Sequence, residues 1–264
     1  MKFEISQTTA NFCFAAYRDE EKLAELSGKV FAENIACALE TVFMQSSEHG
    51  RNALEVITDK FKNYIRQNDM AVYCFDNERF QKPIEYLDAV GFERQYQKFI
   101  YKKDLSQNLE KPIESFSLKS LNEMEQAVFQ NIFYQCIQGD DYANPKNLSP
   151  IEFYENEVKS ASDCFDPSIW YVVFLNDEPL GVLLCRVEKH NLDKIEGNFN
   201  YFGLMPKFRS KGLGTKLLSH GLFLLQNLGC TEYLGFTNQK HTKMQMVFDK
   251  NDCMKFAEQI VFEL

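Results

Sequence analysis

Two glycines and four basic side chains lie together between positions 207 and 216. Gly212 and Gly214 open a segment whose leucines recur at helical spacing, so they mark a predicted helix N-terminus. The first N–H groups of a helix have no intrahelical partner and carry partial positive charge, and glycine has no side chain to keep a ligand away. The cations are Lys207, Arg209, Lys211 and Lys216. In a chain of net charge -9, this basic segment predicts a diphosphate site.

The elements around this segment are a predicted strand before it and a helix after it. The strand, 198–204, is rich in aromatic residues and ends before Pro206, which cannot donate to a sheet ladder. The helix begins at Leu213 and ends before Gly229. The segment lacks the lysine of a P-loop, and leucine at 217 replaces the third glycine of the dinucleotide fingerprint. The alternative interpretation is an ordinary strand-turn-helix with a solvated basic rim.

The pattern Arg209-x-x-Gly212-x-Gly214, preceded by Leu204-Met205-Pro206, resembles motif A of the GNAT acetyltransferase superfamily. The resemblance implies acyl-CoA, for example acetyl-CoA, with its pantetheine arm beside the strand and its thioester near the strand's backbone. It also implies an asparagine that hydrogen-bonds the pantetheine arm. The implied contact residues are Phe202, Gly203, Leu204, Arg209, Ser210, Lys211, Gly212, Leu213, Gly214, Thr215 and Asn238.

Attack of an amine on a thioester needs a base for the ammonium proton and, in many cases, an acid for the leaving thiolate. The resemblance implies a tyrosine acid at a position where this chain has Phe248. Tyr201 and Tyr233 are substitute candidates, although strand tyrosines are commonly packing residues. Glu196 is the first candidate for the base and His241 the second. The alternatives are a solvated loop carboxylate and a surface histidine.

The resemblance also implies that the two helices in front of the sheet, and the loop between them, select the acceptor. This region contains two acids flanked by aromatic residues, which suits a cationic amine but is also typical of a turn and a helix cap. These residues are Tyr134, Asp140, Asp141 and Tyr142. The identity of the amine is left open by the sequence.

Composition narrows the class of protein. The pI near 5.1 argues against a nucleic-acid partner. No apolar run reaches the length of a membrane span and the N-terminus lacks a signal-peptide pattern, so we expect a cytoplasmic protein without a membrane partner. Eight cysteines without a Cys-x-x-Cys pair predict buried free thiols and no metal site.

The two halves of the chain repeat one order of predicted strands and helices. Subtracting 164 from the motif positions gives Gln45-x-x-Glu48-x-Gly50, with glutamate in place of the central glycine. We therefore predict an α+β fold of two tandem GNAT-like domains, each a mixed, mostly antiparallel sheet flanked by helices. The predicted domains are 1–105, which is degenerate, and 112–264, which carries the acetyltransferase motif.

The predicted function is transfer of an acetyl or other small acyl group from acyl-CoA to an amine acceptor, either a small molecule or a protein. The alternative is a non-catalytic acyl-CoA-binding or protein-interaction module. Two departures from the family pattern, Phe248 and Glu48, motivate this alternative.

Overall fold

The computed structural model describes residues 1–8, 11–31, 36–77, 81–112, 116–140, 148–190 and 194–264. The chain divides into two compact units. The first consists of Met1–Phe99 together with Ala257–Leu264, and the second of Ile100–Phe256. Two strands, β6 and β12, contribute residues to both units.

Along the chain, the first unit has four strands, a long helix, a fifth strand, a second helix and the start of a sixth strand. Its elements are β1 (Lys2–Gln7), β2 (Asn11–Arg18), β3 (Glu21–Phe31), β4 (Ala36–Met44), α1 (Glu48–Asn68), β5 (Ala71–Phe75), α2 (Gln81–Ala89) and β6 (Glu93–Asp104).

The second unit has two helices in front of a hairpin, followed by the strand, loop and helix of the basic segment. Its elements are β7 (Ser117–Ser120), α3 (Gln126–Ile137), α4 (Pro150–Ala161), β8 (Trp170–Leu175), β9 (Glu178–Lys189), β10 (Ile195–Leu204), α5 (Leu213–Asn227), β11 (Glu232–Asn238), α6 (Thr242–Asp249) and β12 (Met254–Glu263).

The sheet of the first unit follows the order β1-β2-β3-β4-β5, with antiparallel pairs up to β4. The pair β4–β5 is parallel and joins only residues 36–38 to residues 71–73. The other edge of β5 pairs with the end of β12, where Phe262 lies opposite Val72. Both Ile260 and Phe262 belong to the core of the first unit, so the last strand completes that core.

Helix α1 covers this sheet with an apolar face that includes the fully buried Phe61. The helix begins immediately after a short connection from β4. Its N-cap is Ser47, whose Oγ accepts from the Gly50 N–H at 3.0 Å. A Cβ at Gly50 would lie 2.1 Å from the Gln45 carbonyl oxygen, so only glycine fits this tight turn.

In the second unit the strand order is β11-β10-β9-β8-β7. The pairs β7–β8, β8–β9 and β9–β10 are antiparallel, and β10–β11 is parallel. The β10–β11 pairing joins only Glu196 to Glu232 and Gly197 to Tyr233. A bulge between Phe199 and Tyr201 leaves Asn200 without a partner on β9.

Helices α3 and α4 pack on one face of this sheet through aromatic side chains. Trp170 is fully buried and its ring stacks on Phe129 at 6.4 Å between centroids. Phe133 on α3 packs against Phe153 on α4 at 5.1 Å. Because these rings fill the space between the helices and the sheet, they fix the position of α4 relative to β10.

The prediction of an α+β fold with mixed, mostly antiparallel sheets is confirmed. The two predicted domains, 1–105 and 112–264, describe repeats along the sequence and stay a prediction. The compact units follow spatial contacts instead, and they assign residues 257–264 to the first unit. Strand β1 was not predicted from the sequence. The eight cysteines are free thiols and six of them are buried. Within the described ranges, no helix is long and apolar enough to span a bilayer.

The predicted equivalence of Glu48 and Gly212 is wrong. Glu48 is the first residue of α1 and Ser47 is its N-cap, whereas Gly212 is the N-cap of α5. The connection before α1 is residues 45–47, and the connection before α5 is residues 205–212. A fixed offset of 164 cannot align loops of different length.

We expect Phe262→Ala to destabilise the first unit by about 3–5 kcal/mol, because it removes a fully buried ring from the core. Phe256→Ala is the matched control, since Phe256 lies on the same strand and is 64% exposed. Its effect should stay within about 0.5 kcal/mol. Hydrogen exchange of the β3 and β4 amides under native conditions measures both. Equal losses of protection in the two variants would contradict the assignment of 257–264 to this core.

Candidate functional site

The basic segment forms an eight-residue loop, 205–212, between β10 and α5 of the second unit. Pro206–Phe208 form a short 3₁₀ turn. Ser210 and Gly212 then adopt left-handed backbone conformations, with φ of 58° and 77°. A Cβ at Gly212 would meet no atom within 4 Å. Glycine is therefore favoured here by the backbone angle, and the space in front of α5 is open.

No side chain caps the N-terminus of α5, because its N-cap residue is Gly212. Two other helices differ: Ser47 caps α1 and Ser149 caps α4 through their hydroxyl groups. The first N–H groups of α5, from Leu213 to Thr215, have no intrahelical acceptor. Unpaired N–H donors at the positive end of a helix dipole are chemically suited to an anion.

The loop carries fewer available cations than the sequence predicts, and one additional cation. Lys207 forms an ion pair with Glu178. Lys211 lies with its Nζ 5.9 Å from the centre of the Phe208 ring. Lys243, in the first turn of α6, donates to the Ser210 Oγ at 3.4 Å. Lys243 was not predicted to lie near the loop, because only the fold brings α6 beside it.

Arg209 has a structural position that its charge did not predict. Its guanidinium donates to three main-chain carbonyl oxygens: Leu204 at 3.0 Å, Cys136 at 2.6 Å and Gln138 at 2.6 Å. Its own N–H donates to the Pro206 oxygen at 3.2 Å. Arg209 thus ties the loop to the C-terminal end of α3, and its main donors are engaged within the protein.

The edge of β10 that faces β11 makes no ladder pairs beyond Gly197 in the described structure. Phe202, Gly203 and Leu204 lie at the end of this edge. An open strand edge can hydrogen-bond an extended, amide-containing ligand as it would bind an added strand. The open edge leads from the point where β10 and β11 separate to the N-terminus of α5.

Asn238 ends β11 and is buried. Its Oδ1 accepts from the Lys240 N–H at 2.9 Å, which shapes the turn before α6. An asparagine amide also carries two N–H donors, so the predicted contact with a pantetheine arm requires the Nδ2 group.

The two tyrosine candidates have raised pKa values. The Tyr201 hydroxyl donates to the Cys136 oxygen at 3.1 Å, and burial raises its pKa. Burial also raises the pKa of Tyr233 well above its ordinary value, and its ring packs 6.4 Å from that of Phe248. A phenol that holds its proton more tightly is a weaker donor to a thiolate.

The two candidate bases lie at opposite ends of the open edge. Glu196 is in the paired part of β10, eight residues before Leu204, or about 26 Å along the strand. Its Oε2 lies 3.3 Å from the His190 Nε2. His241 follows the far end of β11, and its Nε2 is 3.2 Å from the Asp140 Oδ1. Of the three predicted catalytic residues, Glu196 therefore lies apart, whereas Tyr201 and His241 both lie near the C-terminal end of α3, where Asp140 follows it.

The surroundings of Glu196 include two further potential metal ligands. The ligand atoms of Glu188, His190 and Glu196 lie within 4.8 Å of one another. Arg186 already supplies a positive charge there, with its Nη2 3.4 Å from the Glu188 Oε2.

The residues predicted to face the acceptor lie at the end of α3 or beyond it. Tyr134 lies on α3 and Asp140 follows this helix, while Asp141 and Tyr142 lie outside the described residues.

One ionisable side chain beside β10 was not among the predicted residues. Glu157 lies on α4, and its main-chain oxygen accepts from the Asn200 Nδ2 at 3.1 Å. Burial raises the pKa of its carboxyl to about 7, against a smaller lowering by the Asn200 amide. The sequence signal was its spacing: Glu157 follows the buried Phe153 by four residues, which places both on one helix face.

We expect Arg209→Ala to lower the free energy of unfolding by about 2–4 kcal/mol, because three carbonyl groups lose a charged donor. Lys211→Ala, two residues away, is the control and should change it by at most about 0.5 kcal/mol. Urea unfolding of both variants without ligand measures the difference. Similar stability of the two variants would show that these bonds contribute little.

Comparison with known proteins agrees with this description. Residues 133–250 match the model of the acetyltransferase (GNAT) family. No curated protein sequence matches the chain.

Three solved structures resemble the chain over almost its whole length. A GCN5-related N-acetyltransferase from Sphaerobacter thermophilus is 12% identical, with a TM-score of 0.60, 96% of this chain covered and 80% of that chain. A tandem GNAT protein from the clavulanic acid biosynthesis pathway is 10% identical, with a TM-score of 0.53; the match covers 96% of this chain and 82% of that chain. A glucosamine N-acetyltransferase region of a fungal multi-domain β-N-acetylglucosaminidase is 13% identical, with a TM-score of 0.62; the match covers 97% of this chain and 33% of that chain.

At these identities the structural likeness concerns the fold. The family match lies within the unit that contains the 205–212 loop, β10 and β11. Residues 133–250 thus match the GNAT acetyltransferase family, and over almost its whole length the chain has the fold of solved GNAT structures, a tandem GNAT protein among them.

Proposed function

We propose that the second unit transfers an acetyl or other small acyl group from acyl-CoA to an amine acceptor. The observation that carries this proposal is the uncapped N-terminus of α5, which lies at the end of an open strand edge. The first feature suits a diphosphate and the second suits the amide-containing pantetheine arm. Both features lie in the region that matches the acetyltransferase family.

The proposed contacts follow from the arrangement of this region. The N–H groups of residues 213–215 bind the diphosphate, and Lys211 and Lys243 add positive charge beside the loop. The β10 edge through Phe202 and Gly203 binds the pantetheine arm, together with the Asn238 amide. The left-handed Gly212 keeps side-chain atoms away from the diphosphate.

The alternative is a module that binds acyl-CoA without catalysis, and one observation favours it. Phe248 occupies the position where many family members carry a tyrosine acid, and its buried ring stacks on Tyr101 at 4.4 Å. Against this alternative, a thiol has a reference pKa of about 8.5, so a thiolate can leave near neutral pH without a dedicated acid.

We further propose that the domain formed by residues 1–105 does not bind acyl-CoA. Its corresponding helix, α1, is already capped by Ser47 and carries Glu48 in its first turn. A diphosphate would meet a satisfied N–H group and a negative charge there. The domain 112–264 then carries one cofactor site. Free, mostly buried thiols are typical of a reducing compartment, so we place the reaction in the cytoplasm.

Acyl-CoA binding and turnover test the proposal directly. A ligand present at 100 times its Kd stabilises the folded state by about 2.7 kcal/mol, so acetyl-CoA should raise the melting temperature. Calorimetry should find one site per chain. Thiol release is then followed with polyamines, amino acids, aminoglycosides, peptides and an arylamine as acceptors. Binding without thiol release on every acceptor would favour the non-catalytic module, and no binding would overturn both readings.

We expect Gly212→Glu to abolish acetyl-CoA binding. Two like charges about 4 Å apart at an effective dielectric constant near 20 repel by about 4 kcal/mol, or roughly a thousandfold in affinity. The control is Gly212→Gln, which imposes the same strain at φ of 77° without the charge. Calorimetry on both variants separates charge from strain. A Gly212→Glu variant that binds like Gly212→Gln would place the diphosphate elsewhere.

A further inference from the structure

Glu157 is a carboxylate on the face of α4 that packs towards the sheet. Phe153 and Tyr154, one turn earlier on the helix, are buried among the aromatic rings around Trp170. Ala161, one turn later, is fully buried. The exposed residues of the helix, such as Glu155, lie on the opposite face. An acid on the apolar face of an amphipathic helix loses hydration and therefore needs a structural or chemical reason.

The protein gives this carboxyl few partners. On β10, the Asn200 amide is the neighbour of the Glu157 carboxyl, and Tyr201 is the next residue after Asn200. From β9, Arg186 approaches the end of α4, where its Nη1 donates to the Ser160 oxygen at 3.2 Å. No ion pair of the Glu157 carboxylate is formed within the described part of the chain. A structural role would ordinarily include such a partner.

Asn200 connects Glu157 to the proposed acyl-CoA site. It is the bulged residue of β10, left out of the pairing with β9, and it lies beyond the last β10–β11 pair. It is four residues before Leu204, about 13 Å along the strand from the end of β10. Glu157 thus lies beside the middle of the open edge, whereas Glu196 lies at its closed end.

We propose that the carboxylate of Glu157 is the general base that accepts a proton from the ammonium group of the acceptor. This proposal rests on the proposed acyltransferase function. The neutral amine nitrogen then attacks the thioester carbonyl carbon, the C–N bond forms and the C–S bond breaks. The second proton leaves the nitrogen and ends on the CoA sulfur. The proton held by Glu157 passes to water, so one proton is released per turnover.

The ionisation of Glu157 fits this role. Burial raises the pKa of its carboxyl to about 7, which makes it a stronger base than an ordinary glutamate and still leaves a large ionised fraction at neutral pH. Because the base must be ionised, the rate with an alkylammonium acceptor should rise with pH through about 7.

The experiment compares Glu157→Gln with wild type on two classes of acceptor. An alkylamine is protonated at neutral pH and needs the base, whereas an arylamine is already neutral. We expect Glu157→Gln to lower kcat about 100-fold or more with the alkylamine and far less with the arylamine. The Kd of acetyl-CoA and the melting temperature should stay close to wild type. Glu155→Gln, an exposed acid on the same helix, is the control and should behave as wild type.

Three results would overturn this inference while leaving the proposed function intact. They are wild-type kcat in Glu157→Gln, equal losses with both acceptor classes, and a wild-type alkylamine rate that is flat from about pH 6 to about pH 8. If Glu157→Gln does not fold, the wild-type pH profile and Glu157→Asp decide. A wild-type protein that binds no acetyl-CoA, or releases no thiol with any acceptor, would overturn the proposed function as well.

Discussion

The candidate site depends on the point at which β10 and β11 stop pairing. Two parallel residue pairs hold the strands together, and beyond them the β10 edge is open up to Leu204. Sheets usually protect an open edge, since its N–H and C=O groups attract other strands. The bulge at Asn200 adds local twist at the same place. The open edge and the uncapped helix after it together form one continuous polar path along the main chain.

Hydrogen bonds to the end of α3 hold this path in place. Arg209 from the loop and Tyr201 from β10 both donate to the Cys136 oxygen, and Arg209 also reaches Gln138. Asp140, just beyond α3, lies beside His241 at the start of α6. Side chains whose types suggest catalysis or anion binding therefore have positioning roles. The same contacts join the proposed acyl-CoA loop to the segment that precedes the acceptor side.

The two units share a pairing pattern but differ in the loop that follows it. In the first unit the parallel pair β4–β5 also ends early, after three residue pairs, and β4 also carries a bulge, at Glu40. Its connection to α1 is short and ends in a serine cap. The two units thus share the early end of a parallel strand pair and differ in the length and capping of the connection that follows it.

The sequence alone determined the local features: the strand, the glycine loop and α5, whose periodicity and turn residues act over a few positions. Glu157 was not among the residues predicted from the sequence, because its position beside β10 depends on how α4 packs. The tertiary structure decided the partners. Arg209 bonds a carbonyl 73 residues away, and Asn200 bonds one 43 residues away. The charge of a side chain limits the groups that it can bind. Its actual partner depends on which helices and strands pack beside it.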